Sequence, residues 1–99
     1  MPEKYAVDWA ESGSVSPVDG NVDVYVTLEN GRVFSATFFA LGNIALLLER
    51  YRHTGECCSG LYLWASNMII VSTLTKESVR STIADLMASG EFEVAFAPA

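Results

Sequence analysis

The stretch VDVYVTLENGRVFSATF, residues 22–38, constrains the fold more tightly than any other part of the chain. Two runs of alternating apolar and polar residues flank Glu29-Asn30-Gly31, the pattern of a β-hairpin. Loop length then decides which side chains share a face, because a slip of one residue turns every side chain over. A two-residue Asn30-Gly31 loop would set Leu28 against Val33 and Val26 against Ser35, scattering apolar residues over both faces. A three-residue loop, with Gly31 in the left-handed conformation that a missing Cβ permits, sets Leu28 against Arg32, Val26 against Phe34, Val24 against Ala36 and Val22 against Phe38. One face then carries Val22, Val24, Val26, Leu28, Phe34, Ala36 and Phe38, and the other carries Asp23, Tyr25, Thr27, Val33, Ser35 and Thr37. The longer loop is the predicted register.

A slide of 35 residues lays His53-Thr54-Gly55-Glu56 on Ala88-Ser89-Gly90-Glu91, Ile44 on Val79, Leu48 on Ile83, Phe34 on Ile69 and Ala36 on Val71. The chain therefore reads as an internal ββα duplication, over 22–56 and 61–91. Each copy holds a helix that ends on glycine, the residue that closes a helix in the left-handed conformation without steric cost. Thr75 is a good N-cap for the second helix, with Leu74 and Val79 placed for a hydrophobic staple. Ala40 holds the equivalent place in the first helix and offers no capping oxygen, a deficit of about 1 kcal/mol that Gly42 and Asn43 deepen. Val79, Ile83, Leu86 and Met87 give the second helix one apolar face. Apolar residues cover most of the first helix, leaving Glu49, Arg50 and Arg52 as a polar strip.

The same loop length applied to LYLWASNMIIVS, residues 61–72, predicts a second hairpin with Asn67 left-handed, Leu63 opposite Ile69 and Leu61 opposite Val71. Its other face then holds Tyr62, Trp64, Met68 and Ile70, and is not polar; a two-residue Ser66-Asn67 turn would instead send Tyr62 and Trp64 inward and leave Leu61, Leu63 and Ile70 outward, so either turn exposes an apolar row. The tail EFEVAFAPA alternates Phe92, Val94 and Phe96 with Glu91, Glu93 and Ala95, as a half-buried strand does, and Pro98 stops it. Residues 1–20 read as a short helix with Tyr5 and Trp9 on one side, followed by a linker; residues 21–99 read as a single domain. The expected fold is α+β: two ββα units in tandem plus a C-terminal strand (ββαββαβ), an antiparallel sheet with two helices on one face.

At 99 residues such a domain buries about 60–65% of its unfolded surface, enough for one core. The chain is 51% hydrophobic and only 18% charged, so part of the apolar excess is expected on the surface. Net charge is −6, and the six Lys and Arg are spread singly except at Arg50 and Arg52. With no basic stripe to neutralise phosphates, nucleic acid and membrane are not expected partners. A basic protein surface is compatible with that charge. FFALGNIALLL, residues 38–48, is too short to span a bilayer, and the N-terminus lacks the basic and apolar regions of a signal peptide. The expected compartment is the cytoplasm, with Cys57 and Cys58 reduced.

His53, Glu56, Cys57 and Cys58 bring metal-ligating types together. Adjacent cysteines bind one ion poorly, and the chain supplies no second ligand pair, so the plainer reading is a last-turn histidine suited to the helix dipole and small thiols entering a strand. Geometry and compartment oppose a vicinal disulfide. A nucleophilic thiol with His53 as base lacks a third group to orient it beyond Glu56. DGNVD, residues 19–23, opens like an EF-hand loop, but Val24 replaces the required glycine and Asn30 the bidentate glutamate, so it reads as a turn into a strand. No phosphate-binding loop, dinucleotide fingerprint or serine nucleophile elbow occurs. Glu91 and Glu93 read as a solvated strand face.

No catalytic residue, metal or cofactor is therefore expected. The surplus aromatic row makes the predicted function a non-enzymatic protein-binding module of inhibitor, immunity or adaptor type, homodimeric through Tyr62, Trp64, Met68 and Ile70 with Tyr25, with a basic protein as a further partner. The alternative is a small-ligand or metal-sensing domain centred on His53, Cys57 and Cys58.

Overall fold

The predicted hairpin is the centre of the sheet. The computed structural model describes residues 4–9 and 15–99. In it β2 (Asn21–Leu28) pairs antiparallel with β3 (Val33–Ala40), with Val22 opposite Phe38, Val24 opposite Ala36 and Val26 opposite Phe34. The Leu28 N–H donates to the Arg32 carbonyl at 2.8 Å, the Gly31 N–H to the Leu28 carbonyl at 2.9 Å, and Gly31 sits at φ 88°. The three-residue loop is thus the one adopted, because it gathers Val22, Val24, Val26, Phe34 and Phe38 on one side. Those at Val22, Val24, Val26, Phe34 and Phe38 are essentially inaccessible, each contributing about 1.5–3 kcal/mol by burial.

Strand β1 (Tyr5–Trp9) lies antiparallel on the free side of β2, with Tyr5 opposite Leu28, Val7 opposite Val26 and Trp9 opposite Val24. This corrects the short helix expected there. Tyr5 and Trp9, four residues apart, suit either period, but Val7 between them decides: in a strand it joins them on the core side, and in a helix it would face away. An open sheet edge also stabilises a short strand better than water stabilises an isolated helical turn. Residues 2–3 and 10–11 of that expected helix, and 12–14 of the linker, lie outside the described residues.

The other edge of β3 is shared. Strand β4 (Met68–Val71) pairs parallel with its second half, Thr37 to Ala40, and β5 (Ala97–Pro98) pairs antiparallel with Phe34 and Ser35. The sheet order is β1-β2-β3-β4, antiparallel except at the β3–β4 pair. The chain is therefore α+β, as expected, but the second hairpin is not formed. Ile69 lies beside Phe38 and Val71 beside Ala40, so β4 extends the core face of β3 instead of folding back on residues 61–66, which take no strand. A parallel return needs a crossover of a dozen or more residues. Helix α1 (Leu41–Thr54), the turn α2 (Glu56–Gly60) and the segment to Asn67 provide it.

Helix α3 (Lys76–Ser89) starts on a capping box: the Thr75 side chain accepts from the Ser78 N–H at 3.0 Å, and Ser78 Oγ accepts from the Thr75 N–H at 2.9 Å. It delivers Val79 and Ile83 to the core beside Leu74. Both long helices run 14 residues and stop on a left-handed glycine, Gly55 at φ 87° and Gly90 at φ 79°. The tail corrects a further expectation. Residues Phe92–Ala95 form a helical turn, α4, that buries Phe92 and Phe96 and leaves Val94 87% exposed. The Phe92 and Phe96 rings stack at 4.6 Å between centroids, and Phe34 meets Phe92 edge-on at 5.2 Å. A strand would have turned Val94 inward with them; a spacing of four favours the helix wherever the intermediate apolar residue is expendable.

Helix α1 has no side-chain cap, yet its start is anchored from outside. The Gly42 N–H donates to the Val18 carbonyl at 3.1 Å, Asn43 Nδ2 to the Asp19 carbonyl at 2.8 Å, and Asn21 Nδ2 to Asn43 Oδ1 at 3.0 Å. A Cβ at Gly42 would collide with the Val18 carbonyl oxygen. Two residues expected to weaken this helix are the ones that tie it to the 17–19 turn.

Candidate interaction surface

The crossover from β3 to β4 is where the apolar surplus collects. None of the apolar residues of α1 belongs to the core cluster; Ile44, Leu47, Leu48 and Tyr51 are half-buried, and Leu41 and Leu46 are 61% and 49% exposed. On the polar strip of α1, Arg52 donates to Glu49 at 3.1 Å while His53 Nε2 lies 3.4 Å from the other Glu49 oxygen.

After Gly55 the chain makes a left-handed turn, with Cys57, Cys58 and Ser59 all near φ 50°. This replaces the strand expected to receive the thiols. Such backbone costs about 1–2 kcal/mol per non-glycine residue. Gly60 closes the turn against α1, where a Cβ would strike the Leu48 carbonyl oxygen. The reversed chain then presents Leu61 at 79%, Tyr62 at 47% and Trp64 at 68% exposure. Asn67, left-handed at φ 54° as expected, returns it to the sheet, its carbonyl accepting from the Thr37 N–H at 3.0 Å.

Of the five residues expected at an interface, Tyr62 and Trp64 lie in this segment, while Met68 and Ile70 lie on the outer face of β4 beside Thr37 and Phe39. Tyr62 and Trp64 are thus exposed without being on the sheet. Tyr25 is set apart: it sits on β2 between Asp8 and Ser35, and the Thr37 hydroxyl, donating to Asp23 at 2.7 Å, puts a polar pair between it and Met68. Leu41 and Leu46 were not singled out from the sequence, although the all-round apolar character of α1 pointed to them; Leu61, expected opposite Val71 in the hairpin, is exposed and Val71 pairs with Ala40 instead.

The residues of the metal-sensing alternative do not converge. His53 pairs with Glu49 on an exposed helix surface, Cys58 is exposed, Cys57 is half-buried, and both thiols are free. Among the described residues no three His, Cys, Asp or Glu side chains are grouped to hold a metal. The DGNVD stretch is a turn entering β2, with Asp23 engaged by Thr37. No described helix is long and apolar enough to cross a membrane. Compared with protein families, with curated proteins and with solved structures, the chain matches none.

Proposed function

We propose that this protein is a non-catalytic cytoplasmic binding module that self-associates through the β3–β4 crossover. The observation that carries the reading is the set of six large apolar side chains, Leu41, Leu46, Leu61, Tyr62, Trp64 and Ile70, each about half exposed or more. An aromatic side chain brings about 150–250 Å² to an interface, so the six together approach the roughly 800 Å² that each partner contributes to a standard complex. A second copy is the simplest occupant, since closed two-fold dimers dominate soluble oligomers. Trp64 and Tyr62 are the residue types that most often anchor such contacts. A net charge of −6 suits the remaining surface to a basic protein.

The test is solution mass. Light scattering on the eluting protein should give twice the chain mass, and Trp64→Asp or Leu61→Asp should give the monomer with unchanged far-UV circular dichroism. A monomeric wild-type chain at about 0.1 mM, well above the micromolar dissociation constants of modest interfaces, would overturn the reading.

A further inference from the structure

At the sheet edge opposite β4, strand β1 pairs on one side only among the described residues. An edge strand presents unpaired N–H and C=O groups along its free side, a template for one more strand. Here that edge runs beside helix α3. Two adjoining hollows lie between them, of about 230 Å³ lined by Val7, Asp8, Trp9, Lys76, Val79 and Arg80, and about 360 Å³ lined by Tyr5, Ala6, Val7 and Arg80. Strand alternation turns Tyr5, Val7 and Trp9 toward the helix, half-buried, and turns Asp8 to the opposite face beside Tyr25.

Lys76 and Arg80 stand one turn apart on α3, two of the six Lys and Arg in a chain of net charge −6. Neither forms an ion pair among the described residues. A peptide in the groove would meet this local positive charge, since charges beyond about 10 Å are largely screened at ordinary salt. We propose that the groove between β1 and α3 docks an extended acidic segment of a partner protein. Its backbone would add to the edge of β1, its alternate carboxylates would face Lys76 and Arg80, and an apolar side chain between them would rest on Val7. Backbone pairing gives such complexes affinity and the alternate side chains give specificity. A second copy of the chain is a poorer occupant, because two such edges meeting would bring two pairs of cations together.

The chain has two tryptophans, so in Trp64→Phe the groove residue Trp9 is the sole indole reporter. Titrating acetyl-Thr-Glu-Thr-Val-Thr-Glu-Thr-amide should give a saturable change in its emission, weakening as salt rises from about 0.05 to about 0.3 M. Lys76→Glu with Arg80→Glu should raise the dissociation constant by about tenfold or more. Both sites are exposed, and at Lys76 glutamate suits the first turn of a helix; if the pair misfolds, Lys76→Gln with Arg80→Gln should show a smaller loss in the same direction. Of two peptides N-methylated at odd or even positions, one should lose binding, since only alternate N–H groups face the neighbouring strand. The monomeric Trp64→Asp chain should slow hydrogen exchange in β1 on adding peptide as the parent does, which separates this site from the dimer reading. No saturable change up to about 1 mM peptide, an affinity indifferent to charge reversal, or binding by both methylated peptides would overturn the proposal. So would a charge reversal that changed the mass of the protein instead of its affinity for peptide.

Discussion

Replacing Asn43 by alanine sets two physical arguments against each other. By intrinsic helix propensity, alanine is better than asparagine by up to about 0.7 kcal/mol, so a view confined to helix α1 expects the variant to be more stable. The tertiary structure expects the reverse. Asn43 is 8% exposed, donates to the Asp19 carbonyl at 2.8 Å and accepts from Asn21 at 3.0 Å. Two such hydrogen bonds contribute about 0.5–1.5 kcal/mol each, and their loss leaves the Asp19 carbonyl without this donor. Asn21 and Asp19 are both exposed residues, so water can replace part of what each loses. Offsetting the propensity gain leaves a net loss of about 1–2 kcal/mol, or roughly 4–16 °C in Tm for a domain of this size. Urea unfolding followed by circular dichroism is the assay, with a lower midpoint and an unchanged slope. A midpoint equal to or above the parent's would refute the claim that the 17–19 turn takes the place of a cap on α1.

Phe96→Ala should cost about 3–5 kcal/mol, much of a small domain's stability, whereas Val94→Ser should change thermal stability by less than about 0.5 kcal/mol; equal effects would contradict the helical turn at Phe92–Ala95. Thr75→Ala should lower stability by about 1 kcal/mol, with most of it restored in Thr75→Asp, as read by chemical unfolding. Ser59→Gly relieves one left-handed residue and should raise the unfolding midpoint by up to about 1 kcal/mol, while the same change at Ser72 should bring no such gain.

Part of the candidate surface was legible from composition and pattern. A helix apolar on nearly all sides cannot turn every apolar residue to its own sheet, and α1 leaves Leu41 and Leu46 exposed. Its place was not legible. Tyr62 and Trp64 alternate with Leu61 and Leu63 as a strand would, so pattern alone assigns them to a sheet face with Met68 and Ile70. Which edge β4 chooses depends on residues far away: Phe38 and Ala40 offer a finished core face, whereas a local hairpin would have to supply both of its strands at once. The groove beside α3 was hidden for a related reason, since it exists only because residues 5–9 pair with β2.

What the sequence determines by itself is local or nearly so. The Glu29-Asn30-Gly31 loop and the alternation around it permit one register that separates apolar from polar side chains, and β2 and β3 adopt it. Thr75 caps its helix, Gly55 and Gly90 end theirs, and Asn67 turns left-handed, because each follows from the conformational preference of a residue and its near neighbours. Tertiary structure decides wherever two periods fit the same residues. Tyr5 and Trp9, or Phe92 and Phe96, are four apart and suit a strand or a helix equally. The choice fell to the open edge of β2 in one case and to the aromatic cluster around Phe34 in the other, because burial against a distant partner outweighs the small intrinsic difference between the two backbones.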